Sequence, residues 1–121
     1  MKKILFVLLI VLFVPSFTSA QSAVPGSVLV FDQPNASPAT AQSYVYRYFP
    51  DGNPVGTVLT GVTCADVGGT TTCQVPFPAF TPGQHTIEIS AENAAGESNN
   101  SAPLTFTFVV VPSPPTNLRI Q

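Results

Sequence analysis

The sequence predicts an all-β protein, a single two-sheet sandwich behind a short export leader, and three observations carry that prediction. Beyond residue 20 the apolar pattern repeats every two residues wherever it is clear, which is the period of a half-buried strand and not of a helix. The candidate strands are separated at regular intervals by runs rich in Pro, Gly, Asn and Asp, which are turn formers. The composition, with 13 prolines and only 8% charged residues in 121, suits short layered strands better than helices, and no helix is expected outside the leader.

The leader comes first. Lys2 and Lys3 precede an unbroken apolar run from Ile4 to Val14, then Pro15 and the stretch SFTSA. A run of 11 residues is too short to cross a bilayer, which takes about 20. Thr18 and Ala20 stand three and one positions before the expected cut, so residues 1–20 read as a signal peptide and Gln21 as the new end. Cleavage removes both lysines and leaves Arg47 and Arg119 against six carboxylates, a net charge of −4 where the intact chain has −2. Nucleic acid and anionic membranes both need a basic patch, so neither is an expected partner and no membrane insertion is expected after cleavage. The expected destination is extracellular, cell-surface or periplasmic.

The strands follow in order. SVLVF (27–31) and SYVYRYF (43–49) are rich in β-branched and aromatic residues, with Tyr44, Tyr46 and Tyr48 alternating to one side. In HTIEISAE (85–92), His85, Ile87, Ile89 and Ala91 face one way and Thr86, Glu88, Ser90 and Glu92 the other. LTFTFVVV (104–111) places Leu104, Phe106, Phe108 and Val110 inward. Between them DQPNASPATAQ, PDGNPVG, PFPAFTPGQ and ENAAGESNNSAP read as turns and loops.

The two cysteines yield a sharper expectation. In TCADVGGTTTC the central Gly68-Gly69 pair tolerates the positive φ angles of a two-residue hairpin turn. With that turn, Val67 pairs with Thr70, Asp66 with Thr71, Ala65 with Thr72 and Cys64 with Cys73. The cysteines then occupy a non-hydrogen-bonded site, where Cα atoms approach to about 4.5 Å, within reach of a disulfide. An exported chain meets an oxidising compartment, and a bridge over so short a loop contributes about 2–3 kcal/mol. Metal binding would need further Cys or His partners, and the single His85 does not supply them.

From residue 27 to 110 the chain resembles a fibronectin type III module, one of the Ig-like β-sandwiches. SVLVFDQP resembles the second strand of that family, with Phe31 where Trp is usual, and SYVYRYFPDG resembles the third. FTPGQHTIEISAENAAGES resembles the Pro-Gly turn, the following strand and its exit loop, and SAPLTFTF the last strand. The resemblance implies a domain over residues 21–111 and a non-enzymatic role in structure, adhesion or protein assembly, without a cofactor. Two departures stand out. His85 occupies the place of the family's corner tyrosine, whose hydroxyl pins the backbone upstream. Ala95-Gly96-Glu97-Ser98 fills the exit loop where an integrin-binding motif would stand.

The two ends of the domain do not match. QSAVPG between the expected cut and Ser27 is short for the family's opening strand, whereas PSPPTNLRIQ (112–121) has the composition of one, with Leu118 and Ile120 on one face. The PSPP spacer reaches at most about 14 Å, too little to cross a strand about 23 Å long and fill the chain's own edge in the usual direction. Three readings of this tail stand: donation of residues 116–121 to a neighbouring copy, pairing in reverse within one chain, or no pairing at all.

Catalytic constellations are not expected. Asp32, Asp51 and Asp66 fall in turns with no evident link to His85, so no Ser-His-acid set is placed. Glu88 and Glu92, about 13 Å apart along a strand, are too distant for a glycosidase pair and read as a solvated face. Tyr44, Tyr46 and Tyr48 either fill the core or, if their face is open, form a stacking strip for a carbohydrate. The expected partner is another protein, self or foreign, with carbohydrate as the alternative.

Overall fold

The computed structural model of the protein describes residues 21–121; the expected signal peptide lies outside the described residues. The elements in chain order are β1 Gln21–Ala23, β2 Val28–Asp32, α1 Pro38–Gln42, β3 Val45–Pro50, β4 Thr57–Val58, β5 Thr63–Val67, β6 Thr70–Pro76, β7 Gly83–Asn93, β8 Gly96–Glu97 and β9 Leu104–Phe108. They form an all-β sandwich. One sheet runs β1-β9-β7-β3-β4 with β8 attached to β7, and the other runs β2-β6-β5.

The hairpin β5–β6 has the register that the Gly-Gly turn predicts, with Cys64 opposite Cys73 and Val67 opposite Thr70. Gly68 and Gly69 both have positive φ, 60° and 86°, which a pair of side-chain-bearing residues would adopt only under strain. The cysteines are bridged across a Cα separation of 4.0 Å. Cys73 is fully buried, so the bridge belongs to the core as well as to the hairpin.

The core lies between the sheets and is built from alternate strand positions: Leu29 from β2, Tyr46 from β3, Cys73 and Val75 from β6, Ile87 from β7, and Phe106 and Phe108 from β9. Phe77 and Phe80, in the loop before β7, close its lower end edge-on to Phe106 at 4.9 Å each.

Four sequence expectations are corrected. A first strand does exist: Gln21–Ala23 pairs parallel with β9, and Val109 N–H then donates to the Ala23 carbonyl at 2.8 Å. It lies on the larger sheet, so it leaves β2 unaccompanied. A helical turn, α1, interrupts the loop expected over 32–42, because Ser37 accepts the Thr40 N–H as an N-cap and a proline sits in the first turn. On β7 Ser90 keeps the outer-face position that the alternation assigns it, opposite Arg47, but that face is not open there: Ser90 is buried at 1% exposure, its hydroxyl donating to the Glu97 carboxylate folded back from β8. The last strand stops at Phe108, where pairing with β1 ends, so Val110 lies beyond it and is exposed.

Candidate functional site: the open side of β2

β2 and β5, each five residues long, are the two edges of the smaller sheet, and each has a strand partner on one side only among the described residues; β2 is the one whose second side is not covered by α1. Its antiparallel register with β6 determines which groups that edge presents. Ser27 accepts the Phe77 N–H and Gln33 donates to the Thr71 carbonyl, so odd-numbered residues exchange bonds with β6. By alternation the N–H and C=O of Val28, Val30 and Asp32 point away from the sheet. The side chains of Val28 and Val30 lie on its outer face, 54% and 56% exposed. Leu29 and Phe31 point between the sheets.

The other edges are managed. β4 is two residues long and β1 three. The outer side of β5 is covered by α1: the Gln42 side chain donates to the Val62 carbonyl and accepts the Cys64 N–H at 2.7 Å, so a carboxamide takes the place of a neighbouring strand. Short length and coverage are the usual protections of a sheet edge. β2 has neither.

Two hollows follow one another along this open side. The lower, of about 320 Å³, adjoins Leu29 and is walled by Ala23, Phe77, Leu104 and Phe106. The upper, also about 320 Å³, adjoins Phe31 and is walled by Tyr46, Ile89, Ala91 and Ser101. Both have mixed linings, with Gln21, Ser22 and Ser27 among the polar residues of the lower and Gln33, Asn99 and Ser101 among those of the upper, and each has room for a branched aliphatic side chain.

Such side chains stand exposed elsewhere in the chain. Residues 109–121 form no helix or strand. Within them Leu118 is 85% and Ile120 fully exposed. Asn117 has φ 55°, which interrupts any extended run there.

The tyrosines divide. Tyr46 is buried at 1% exposure, and its hydroxyl donates to the Ala41 carbonyl of α1 at 2.9 Å. Burial, reinforced by neighbouring Tyr44, pushes its pKa up to about 12. Tyr44 and Tyr48 are half-buried against the core. The three therefore make no continuous stacking strip: Tyr44 borders a hollow with Gln33, Asn93 and Glu97, and Tyr46, buried, forms part of the wall of the upper hollow beside β2.

His85 is linked to an acid after all. Its Nδ1 lies 2.8 Å from Asp51 Oδ2, and its Nε2 lies 2.8 Å from the Thr81 carbonyl. Asp51 Oδ1 in turn accepts the Thr86 N–H at 3.0 Å. Sequence reasoning missed the contact because it depends on a turn, with Asp51 at φ 50° and Gly52 at φ 71°, that returns the carboxylate to β7. The Asp51 bond and then the Thr81 carbonyl raise the pKa of His85, while the Thr86 N–H and then His85 lower that of Asp51. The Thr81 hydroxyl is 3.2 Å from Nε2, and both ring nitrogens already face oxygen acceptors, the Asp51 carboxylate and the Thr81 carbonyl. The bracket ties the loop before β7 to β7 and to the β3 turn.

Glu92 pairs with Arg47, and Glu88 accepts from Asn100 at 3.0 Å. Among the described residues no cluster of His, Cys, Asp and Glu could hold a metal ion, and no helix is long and apolar enough to cross a membrane. The disulfide accords with an oxidising compartment. No protein-family model and no curated protein matches this chain.

Proposed function

We propose that this chain is an exported, non-enzymatic module of fibronectin type III type that serves a structural, adhesive or assembly role, and that it joins to further copies by donating residues 116–121 to the open side of a neighbour's β2. The observation that carries this reading is the contrast among the edges. β2 presents main-chain groups that have no strand partner among the described residues, beside two hollows, and the tail holds two exposed aliphatic residues at strand spacing. Strand addition of this kind draws affinity from main-chain bonds and specificity from alternate side chains in pockets.

Magnitudes set the character of the contact. Burying Leu118 and Ile120 is worth about 1.5–3 kcal/mol each, and each new main-chain bond adds about 0.5–1.5 kcal/mol. Association costs on the order of 4–15 kcal/mol. A single contact is therefore weak, and assembly depends on concentration.

Size-exclusion chromatography and electron microscopy of the full chain, with and without residues 112–121, test the proposal. Concentration-dependent oligomers that vanish on truncation are the expected result, and a monomer in both cases sinks it. A second reading, carbohydrate binding, is favoured only by the hollow beside Tyr44; glycan binding lost in a folded Tyr44→Ala variant would support that alternative.

A further inference from the structure

Resting on the strand-donation reading, we propose a polarity and register for the contact: the donor runs antiparallel to β2 of the next copy, with Asn117 opposite Asp32, Leu118 opposite Phe31, Arg119 opposite Val30 and Ile120 opposite Leu29. Pro112, Pro114 and Pro115 bring no N–H to a ladder, so Thr116 is the first tail residue able to pair continuously. From there Leu118 and Ile120 share one face and Asn117 and Arg119 the other. Residues directly opposite in a ladder point to the same face, so the aliphatic pair must lie opposite the inward residues Leu29 and Phe31. Shifting by one residue would carry Leu118 and Ile120 to the solvent. Shifting by two would leave one hollow unfilled. Only the stated register and its parallel counterpart place both side chains over both hollows.

From the course of the chain those two give different assemblies, and the antiparallel one is the register proposed. β9 and β1 end together, with Val109 bonded to Ala23, and the short turn over 24–27 starts β2 at that same pole. The tail therefore leaves from the pole where β2 begins. A copy stacked above the opposite pole delivers its tail at the Asp32 end, running down toward Val28, which is antiparallel. Repeating this contact is head-to-tail and does not close, so it builds a filament. The parallel register requires entry at the Val28 end, which brings like poles together and closes a two-fold dimer by exchange of tails. β1 remains in place in either case, because it belongs to the opposite sheet and forms a wall of the lower hollow. Asn117 must leave its left-handed conformation for an extended one, a change that asparagine tolerates well.

Paired cysteines in the full chain read the polarity. Asp32→Cys with Asn117→Cys places two thiols opposite each other in the antiparallel register, at a hydrogen-bonded site about 5.5 Å between Cα atoms, within disulfide range. Val28→Cys with Asn117→Cys does the same for the parallel register. Under mild oxidation the first variant is expected to give a ladder of linked multimers on a non-reducing gel, and the second to remain at the monomer position. A linked dimer from the second variant, or an internal bridge within one chain from the first, overturns the register. If neither pair links while the unmodified chain still loses its oligomers on removal of residues 112–121, the register fails and donation stands. If that truncation changes nothing, donation fails and the register with it.

Discussion

The two edges of the β2-β6-β5 sheet are opposites. At β5 the chain provides a disulfide to β6, a helical turn laid alongside, and a glutamine whose amide meets the outward N–H of Cys64 and carbonyl of Val62. At β2, five residues long, the outward groups of Val28, Val30 and Asp32 meet no strand among the described residues, and two of the three side chains there are exposed valines. Exposed, regular edges invite pairing, and folded proteins generally blunt them. A chain that covers one edge of a small sheet with side-chain bonds and a cross-link, and leaves the other flat, supports the reading of β2 as an acceptor.

The largest way to disturb this contrast is to open the closed edge. Replacing both Cys64 and Cys73 with alanine is expected to cost about 2–3 kcal/mol, read as a lower urea midpoint or Tm, and the buried position of Cys73 adds a packing loss. Loss of tail-dependent association in a still-folded double variant would show that the two edges are coupled.

Next comes Gln42→Ala, which strips the cover from β5 while keeping the disulfide. A stability loss of about 1 kcal/mol is expected, together with a new tendency to associate that does not require residues 112–121. If association stays wholly tail-dependent, coverage by Gln42 is not what protects that edge.

The third disturbance is pH, acting at the His85 bracket away from both edges. A raised His85 pKa means that its contribution to stability is full below the ordinary imidazole value of 6.5 and is lost as pH rises through the raised value. A lowered Asp51 pKa contributes above the ordinary carboxylate value of 3.8 and is lost as pH falls through the lowered value. The bracket is thus strongest between the two, and urea midpoints measured across the imidazole titration should fall toward alkaline pH. His85→Gln should flatten that fall; an unchanged profile would refute the bracket's role.

The smallest effect on stability is expected from Val30→Lys on the outer face of β2, within about 0.5 kcal/mol. Its effect on association is expected to be large, since a charge placed on an edge is a standard deterrent to pairing. Equal loss of stability and association would mean that Val30 supports the fold itself.

Much of this architecture was legible in local sequence. Period-two alternation located β2, β3, β7 and β9, and the Gly68-Gly69 turn dictated the β5–β6 register down to the opposed cysteines, because a two-residue loop leaves a hairpin no other alignment. The helical turn α1 had a readable signal, Ser37 followed by proline, that was lost among the turn formers around it. Ser90 gave no such sign, for its burial depends on Glu97 returning from a hairpin seven residues away.

What the sequence by itself determined was the class of fold, the inward residues of the main strands apart from Val110, and the disulfide, all consequences of short-range alternation and turn chemistry. Only the tertiary structure decided that the first strand joins β9 instead of β2, that Asp51 reaches His85, and that Tyr46 is sealed inside. Each of these depends on contacts between segments far apart in the chain. The open side of β2 belongs to the second group: an edge is a property of which strands lie beside it, and no strand carries that information in its own residues.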